Sequence, residues 1–309
     1  MRYLLVFNPR AKRYSRDAEI GLITQATHIL GQHISVAYTV PQSNGQQGRY
    51  AITDFSRVSA DVDCVIAVGG DGTINIVVEA MARQALLPQV ALGVIPYGTG
   101  NNLVRSFGLE RTTDRALVTI RQGYTIRLDI GVVNQQYYCV NASVGLFAYL
   151  LARRVTNSLV GYTYEAFRHI GFRPWPLRIC YRDAADQMVT LPTQAYIVGA
   201  MLNTSYYGSI LHMAPNTLSN DGLFDVKLIQ ATPRYLYPLV FAMILTGQYQ
   251  LSRYTTTFRA RQVEVQSAGP CDWEMDGEVI PPQPRYDLRM AGYVRLCVPA
   301  PPSQALASP

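Results

Sequence analysis

Three glycines set around one aspartate interrupt the chain at Val68-Gly69-Gly70-Asp71-Gly72-Thr73-Ile74-Asn75. They follow an apolar run, Cys64-Val65-Ile66-Ala67-Val68, that reads as a buried strand. A helical apolar pattern resumes at once with Ile74, Val77, Val78 and Met81. Glycine permits positive φ and lets a ligand approach the backbone closely. A glycine-rich turn between a strand and a helix N-terminus offers several backbone N–H groups to an anion, with the helix dipole behind them. The device recurs in the next strand–helix unit, where Ala91-Leu92-Gly93-Val94-Ile95 enters Pro96-Tyr97-Gly98-Thr99-Gly100-Asn101-Asn102. One such turn is common without a ligand. Two in neighbouring units can face one pocket, and phosphate binding is the chemistry they predict.

Two later stretches carry other candidate groups. In Asn216-Thr217-Leu218-Ser219-Asn220-Asp221-Gly222-Leu223-Phe224, Asp221-Gly222 is either an ordinary turn or a carboxylate that holds a hard cation together with loop carbonyls. In Trp273-Glu274-Met275-Asp276-Gly277-Glu278-Val279-Ile280, Asp-Gly is a strong signal for a type I′ hairpin. Such a turn holds Glu278 at a strand start on a rigid scaffold, either as a solvated surface residue or as a catalytic carboxylate.

The elements that must position these groups follow from pattern. Arg2 to Phe7 is a strand ended by Asn8-Pro9. A helix runs from about Ser15 to Leu30 and Gly31 closes it. Ile34 to Thr39 is the next strand, and a weak helix is expected near Arg49 to Phe55. After the two glycine turns come short helices at Asn101–Phe107 and Thr112–Arg121. Strands alternating with helices predict a parallel sheet, whose ligands gather at the strands' carboxyl ends. From Thr125 the rhythm changes. A hairpin is expected from Ile126–Val133 and Tyr137–Val144. Strand-like runs follow at Leu177–Tyr181, Met188–Leu191, Gln194–Leu202, Phe224–Ile229, Thr255–Arg259, Val263–Gln266, Asp272–Met275, Asp287–Met290 and Tyr293–Val298. Helices are expected at about Leu146–Arg168 and Pro233–Thr246. The fold class is therefore α/β plus β. An α/β nucleotide-binding domain with a parallel sheet spans 1–124, a β-sandwich domain spans 125–298, and a disordered tail covers 299–309.

Composition narrows the function classes. The 309 residues are 49% hydrophobic and only 16% charged, which gives ample core for two domains. The net charge of +6 favours anionic partners. No Lys/Arg-rich block is present, so dedicated nucleic-acid binding is not expected. Five scattered cysteines without a Cys-x-x-Cys pair read as buried free thiols, and four isolated histidines give no metal spacing. The apolar stretch from Tyr235 to Leu251 is broken by Pro238, Gly247, Gln248 and Gln250, so it does not read as a membrane span. The expectation is a cytoplasmic protein with peripheral membrane association; homo-oligomerisation is left open.

The set Gly69-Gly70-Asp71-Gly72-Thr73, Pro96-x-Gly98-Thr99-Gly100-Asn101, Asp221-Gly222-Leu223-Phe224 and Asp276-Gly277-Glu278 resembles the diacylglycerol kinase family. That family includes bacterial lipid kinases and sphingosine kinases. Order and spacing agree from Tyr3 to about Val298. The resemblance implies an ATP-dependent lipid kinase with an α/β nucleotide domain, a β-sandwich domain and an active site in the cleft between them. It implies that Asn8 and Thr39 line the nucleotide, that Gly69, Gly70, Asp71, Gly72, Thr73, Ile74 and Asn75 cradle its phosphates, and that Gly98, Thr99, Gly100 and Asn101 contact it from the second turn. It implies a structural Mg²⁺ held by Leu218, Asp221 and Leu223. Glu278 would be the base that takes the lipid hydroxyl proton, with Asp71 the competing base or a ligand of the nucleotide's Mg²⁺. Asn141 to Leu151 matches the region where relatives form an acyl-chain pocket.

Two positions depart from the family pattern. Asn102 replaces the last aspartate of Gly-Thr-Gly-Asn-Asp, and Asn8-Pro9-Arg10-Ala11-Lys12 lacks the usual loop glycine, leaving Lys12 or Arg13 to meet a phosphate. The alternatives are a soluble-substrate kinase of the NAD kinase or phosphofructokinase type, and a non-enzymatic lipid- or nucleotide-binding protein.

Overall fold

The computed structural model describes residues 1–11, 13–41, 50–53, 55, 61–98, 101–152, 172–208 and 211–300. The chain forms two units: one takes Met1–Leu128 together with the chain from Gly292 onward, the other takes Asp129–Ala291.

The first unit begins with β1 (Tyr3–Phe7), α1 (Arg16–Leu30) and β2 (Ile34–Pro41). Ser15 caps α1 by accepting the Ala18 N–H at 3.1 Å, and Asp17 and Glu19 stand in the first turn where the helix dipole favours them. Next come β3 (Tyr50–Ile52), β4 (Cys64–Gly69), α2 (Asp71–Arg83), β5 (Ala91–Pro96), α3 (Asn102–Ser106) and α4 (Thr113–Gln122). β1 pairs in parallel with β2 and β4, and β4 pairs in parallel with β5. The helix expected near Arg49–Phe55 is instead β3, antiparallel to the end of β2 through Thr39↔Ile52 and Pro41↔Tyr50. Tyr and Ile suit an edge strand, and the free edge of β2 outweighs a weak helical pattern. Tyr3, Leu5, Phe7, Ile66, Val68 and Ile95 pack with Leu22, Ala26, Leu117 and Ile120 from α1 and α4.

The second unit is almost wholly antiparallel. β6 (Thr125–Val133) pairs with β7 (Tyr137–Cys139), and β8 (Ala142–Gly145) leads into α5 (Leu146–Ala152). The expected strand Tyr137–Val144 is thus two strands with a break at Val140–Asn141. Beyond Ala152, the helix expected to reach Arg168 falls outside the described residues. The strands β9 (Trp175–Arg182), β10 (Met188–Thr190), β11 (Gln194–Leu202), β12 (Phe224–Gln230) and β13 (Thr255–Ala260) follow, with α6 (Tyr237–Leu245) between the last two. β14 (Gln262–Met275) is one strand where two were expected, because register shifts near Cys271 carry the pairing across the gap. β15 (Glu278–Cys297) is likewise continuous, and its end pairs in parallel with β5 in the first unit through Arg295↔Ala91. All five cysteines are free. No helix among the described residues is long and apolar enough to cross a membrane.

Candidate active site

In the first unit the strand ends define one edge. The registers Phe7↔Val68 and Val68↔Ile95 bring the carboxyl ends of β1, β4 and β5 level. Asn8, Gly70 and Tyr97 therefore leave the sheet on the same edge. Asn8 Nδ2 donates to Thr73 Oγ1 at 3.0 Å, tying the first loop to the first turn of α2. The two glycine turns meet backbone to backbone. A Cβ built on Gly98 would stand 2.3 Å from Gly70 Cα, and one on Gly70 would stand 3.0 Å from Gly98 Cα. The N–H groups of Tyr97 and Gly98 both donate to Gly69 O, at 2.8 and 3.2 Å. A Cβ on Gly69 would overlap Thr73 Oγ1 at 2.1 Å. None of these three glycines has a positive φ; among the described residues of the two turns Asn101, at φ 52°, is left-handed. Close approach is what demands glycine here, and the first group approached is another stretch of backbone.

Asp71 opens α2, and its Oδ2 accepts the Asn102 N–H at 3.1 Å at the start of α3. Burial pushes its carboxyl up, opposed by the N–H groups of Asn102, Leu103 and Asn101 and by Arg105. The carboxylate is thus a brace between the two turns. The N–H groups of Thr73 and Ile74 are used within α2, donating to Gly70 O at 2.9 and 3.1 Å. Gly72 and Asn75 lie in the first turns of the same helix. Among the described residues, Thr39 Oγ1 and Asn101 Oδ1 are buried without a hydrogen-bond partner. Orphaned polar atoms at the carboxyl edge of the sheet fit a polar ligand. Thr99, Gly100 and Lys12 fall outside the described residues.

In the second unit, Asp276 and Gly277 form the two-residue turn between β14 and β15, with φ of 48° and 90°. Positive φ at both positions is the type I′ geometry. Met275 pairs with Glu278, which is half-buried at the first position of β15. The Asp276 carboxylate accepts the Val140 N–H at 2.8 Å and the Asn141 N–H at 2.9 Å. The break between β7 and β8 therefore follows from this clamp. Asn141 Oδ1 accepts the N–H groups of Asn203 and Thr204 at 3.0 and 3.2 Å, and Asn203 Nδ2 donates to Asp129 O at 2.6 Å. Asp129 Oδ2 in turn accepts the Gly222 N–H at 2.6 Å. A buried polar chain thus links the Glu278 hairpin to the Asp221 loop.

The diacylglycerol kinase catalytic domain model matches residues 2–133, and the YegS C-terminal NAD kinase beta sandwich-like domain model matches residues 138–298. The chain belongs to the diacylglycerol kinase family of lipid kinases. It is 27% identical to a diacylglycerol kinase of Bacillus subtilis over 89% of this chain and 88% of that one. It is 28% identical to a "probable lipid kinase YegS-like" protein of Pectobacterium atrosepticum over 72% of this chain and 73% of that one. A crystal structure of a diacylglycerol kinase from Bacillus anthracis superposes with a TM-score of 0.69 at 18% identity, covering 98% and 97% of the two chains. That likeness shows the fold. The second domain of this lipid kinase is sandwich-like, and membership of a kinase family implies use of ATP.

The cation expected at Leu218, Asp221 and Leu223 meets a different arrangement. Asp221 Oδ1 accepts the Leu223 N–H at 3.0 Å, and Oδ2, which takes no regular hydrogen bond, faces the Arg259 guanidinium as an ion pair. Leu218 is exposed. Arg259 thus pairs with the carboxylate that the metal reading assigns to the cation. Sequence reasoning also missed Asp129, whose carboxylate shapes the loop from a strand far away in the chain. The Asn141–Leu151 stretch is buried, with Ala142, Ser143, Val144, Ala148 and Leu150 closed to solvent and Phe147 stacked on Tyr207 at 5.1 Å.

Glu274 is the other group that sequence reasoning passed over. It is buried, its Oε2 accepts the Gly277 N–H at 2.9 Å, and its Oε1 meets Ser143 Oγ at 3.2 Å and the Tyr207 hydroxyl. Burial pushes its carboxyl up to about 7, against the hydrogen bonds from Tyr207 and Gly277, with Asp276 adding to the rise. No local signal marks it, since a polar residue between Trp273 and Met275 alternates as a solvent-facing strand position would.

Two expected outcomes follow. The folded chain holds the Glu274 proton more tightly than the unfolded chain, so this group's contribution is greatest below about pH 4.5 and declines as pH rises to about 7. The shift amounts to about 3 kcal/mol. In urea unfolding across this range, Glu274→Gln should gain stability relative to the parent by about that amount as pH rises; a constant difference would show an ordinary carboxyl. For the Asp221 loop, EDTA followed by Mg²⁺ should leave the parent's Tm unchanged, while Arg259→Ala should make Tm depend on Mg²⁺. A parent that loses stability in EDTA and regains it with Mg²⁺ would show that the loop holds the cation.

Proposed function

We infer that this lipid kinase transfers the γ-phosphate of ATP to the hydroxyl of a diacylglycerol-like or sphingoid-like lipid presented at a membrane surface. The observation that carries the nucleotide half is the interlocked pair of glycine turns at the strand ends, with Asn8 bonded to Thr73 and orphaned Thr39 and Asn101 atoms beside them. Backbone N–H groups at the N-terminus of α2 hold the phosphates, in a first domain built as a parallel α/β nucleotide fold. Mg²⁺ entering with the nucleotide neutralises phosphate charge, and Asp71 is the carboxylate available to face it.

The acceptor half rests on Glu278. A lipid hydroxyl is a weak nucleophile, and a positioned carboxylate that takes its proton contributes ~10²–10⁴-fold. The type I′ turn fixes where Glu278 begins β15, and the Asp276 clamp fixes the turn. Phosphoryl transfer otherwise needs positioning and charge neutralisation rather than covalent help.

Labelled ATP offered with dioctanoylglycerol, sphingosine, phosphatidylglycerol, NAD and fructose 6-phosphate should label a lipid and neither soluble acceptor. Glu278→Gln should lower kcat by at least ~10²-fold, about 2.7 kcal/mol in the barrier, with the KM for ATP and Tm nearly unchanged. Asp71→Asn should raise the KM for ATP. If the Gln variant turns over normally while Asp71→Asn loses kcat alone, the base is Asp71. Labelling of a soluble acceptor instead would overturn the lipid reading.

A further inference from the structure

Helix α6 presents an apolar stripe outward. Its inner side is packed: Ile244 is buried, and Tyr237, Val240 and Met243 lie against the cluster that contains Leu146, Phe147 and Phe172. On the other side Tyr235, in the 3₁₀ turn before the helix, is 80% exposed, and Leu239 is 56% exposed. Ala242 and Thr246 continue that stripe at helical spacing, both exposed. Leaving a tyrosine and a leucine so open in one stripe is costly in water, and such faces mark interaction sites.

The charge pattern around the stripe selects the partner. No Asp or Glu occurs between Asp225 and Glu264, whereas Lys227, Arg234, Arg253, Arg259 and Arg261 do. Lys227 is buried beside Asp225, Arg259 is taken by Asp221 and Arg261 lies past the far end of β13, but Arg253, in the turn between α6 and β13, is exposed. Arg253 lies over the Tyr254 ring at 4.9 Å. A protein interface generally supplies polar groups for directional pairing. This stripe offers aromatic and aliphatic side chains, and the segment that carries it, from Thr232 to Tyr254, holds Arg234 and Arg253 and no acidic residue. Those are the requirements for lying in the interface of an anionic bilayer, where tyrosine sits at the headgroup level and arginines meet lipid phosphates.

We propose that the outward stripe of α6, led by Tyr235 and Leu239, docks this domain on an anionic lipid surface. The proposal rests on the reading of the protein as a lipid kinase and names the surface through which it would reach its substrate. It does not involve Glu278, Asp71 or the glycine turns.

The full chain is sedimented with vesicles of phosphatidylcholine alone and with vesicles of phosphatidylcholine and phosphatidylglycerol. The parent should partition more strongly to the anionic vesicles. Leu239→Asp and Tyr235→Ser should each lower that partition about tenfold, with turnover of monomeric dioctanoylglycerol unchanged. Equal partition of the parent and both variants overturns the docking surface. So does a dimer, seen by sedimentation velocity, that Leu239→Asp dissolves, because a second copy would then cover the stripe. If the variants release from vesicles while the parent phosphorylates no lipid at all, the docking surface stands and the kinase reading fails alone.

Discussion

The Asp276 carboxylate receives two backbone N–H groups, from Val140 and Asn141, and much of the second unit's polar interior hangs from that contact. Hydrogen bonds to a charged acceptor contribute about 1.5–3 kcal/mol each, and leaving a buried donor unpaired costs a comparable amount. The two bonds stop β7 from running on into β8, so Asn141 can turn its amide to Asn203 and Thr204. Asn203 passes the connection to Asp129, and Asp129 to Gly222. Segments far apart in sequence are thereby joined by hydrogen bonds. Because its middle members, Asn141, Asn203 and Asp129, are buried, the chain of bonds tolerates few substitutions, which is the condition for holding a carboxylate such as Glu278 in one place.

The first unit reaches the same end by a different route. There the constraint is steric: Gly70 and Gly98 approach so closely that either Cβ would strike the other turn's backbone. Asp71 spans the same gap electrostatically by capping the start of α3. The two turns behave as one part, and a phosphate held by the first would feel any shift in the second. Substituting Gly70 therefore disturbs packing between turns as well as any ligand.

The features legible in the sequence were those written locally. The strand–glycine–helix junctions, the Asp276-Gly277 turn and most strands have periodicity or turn chemistry within a few residues. The failures are long-range. Tyr50–Ile52 became a strand because β2 offered an edge, which a local helical pattern does not reveal. Asp129, Glu274 and Arg259 each act on a partner distant in the chain, so their types read as ordinary alternation along strands. The return of the chain from Gly292 to the first unit follows from pairing of β15 with β5, which no composition shift announces. The glycines signal close approach, but nothing local reveals that the group approached is another stretch of backbone.

The central claim is that Asp276 holds the hairpin so that Glu278 can act, and a double-mutant cycle on kcat tests it directly. Asp276→Asn keeps the left-handed turn residue but replaces one acceptor oxygen with an amide donor, breaking one of the two clamp bonds. With Glu278 present it should lower kcat about tenfold; with Glu278→Gln already in place it should lower kcat no further, because the group being positioned has lost its function. If Asp276→Asn costs the same factor in both backgrounds, the clamp does not act through Glu278 and the account is wrong.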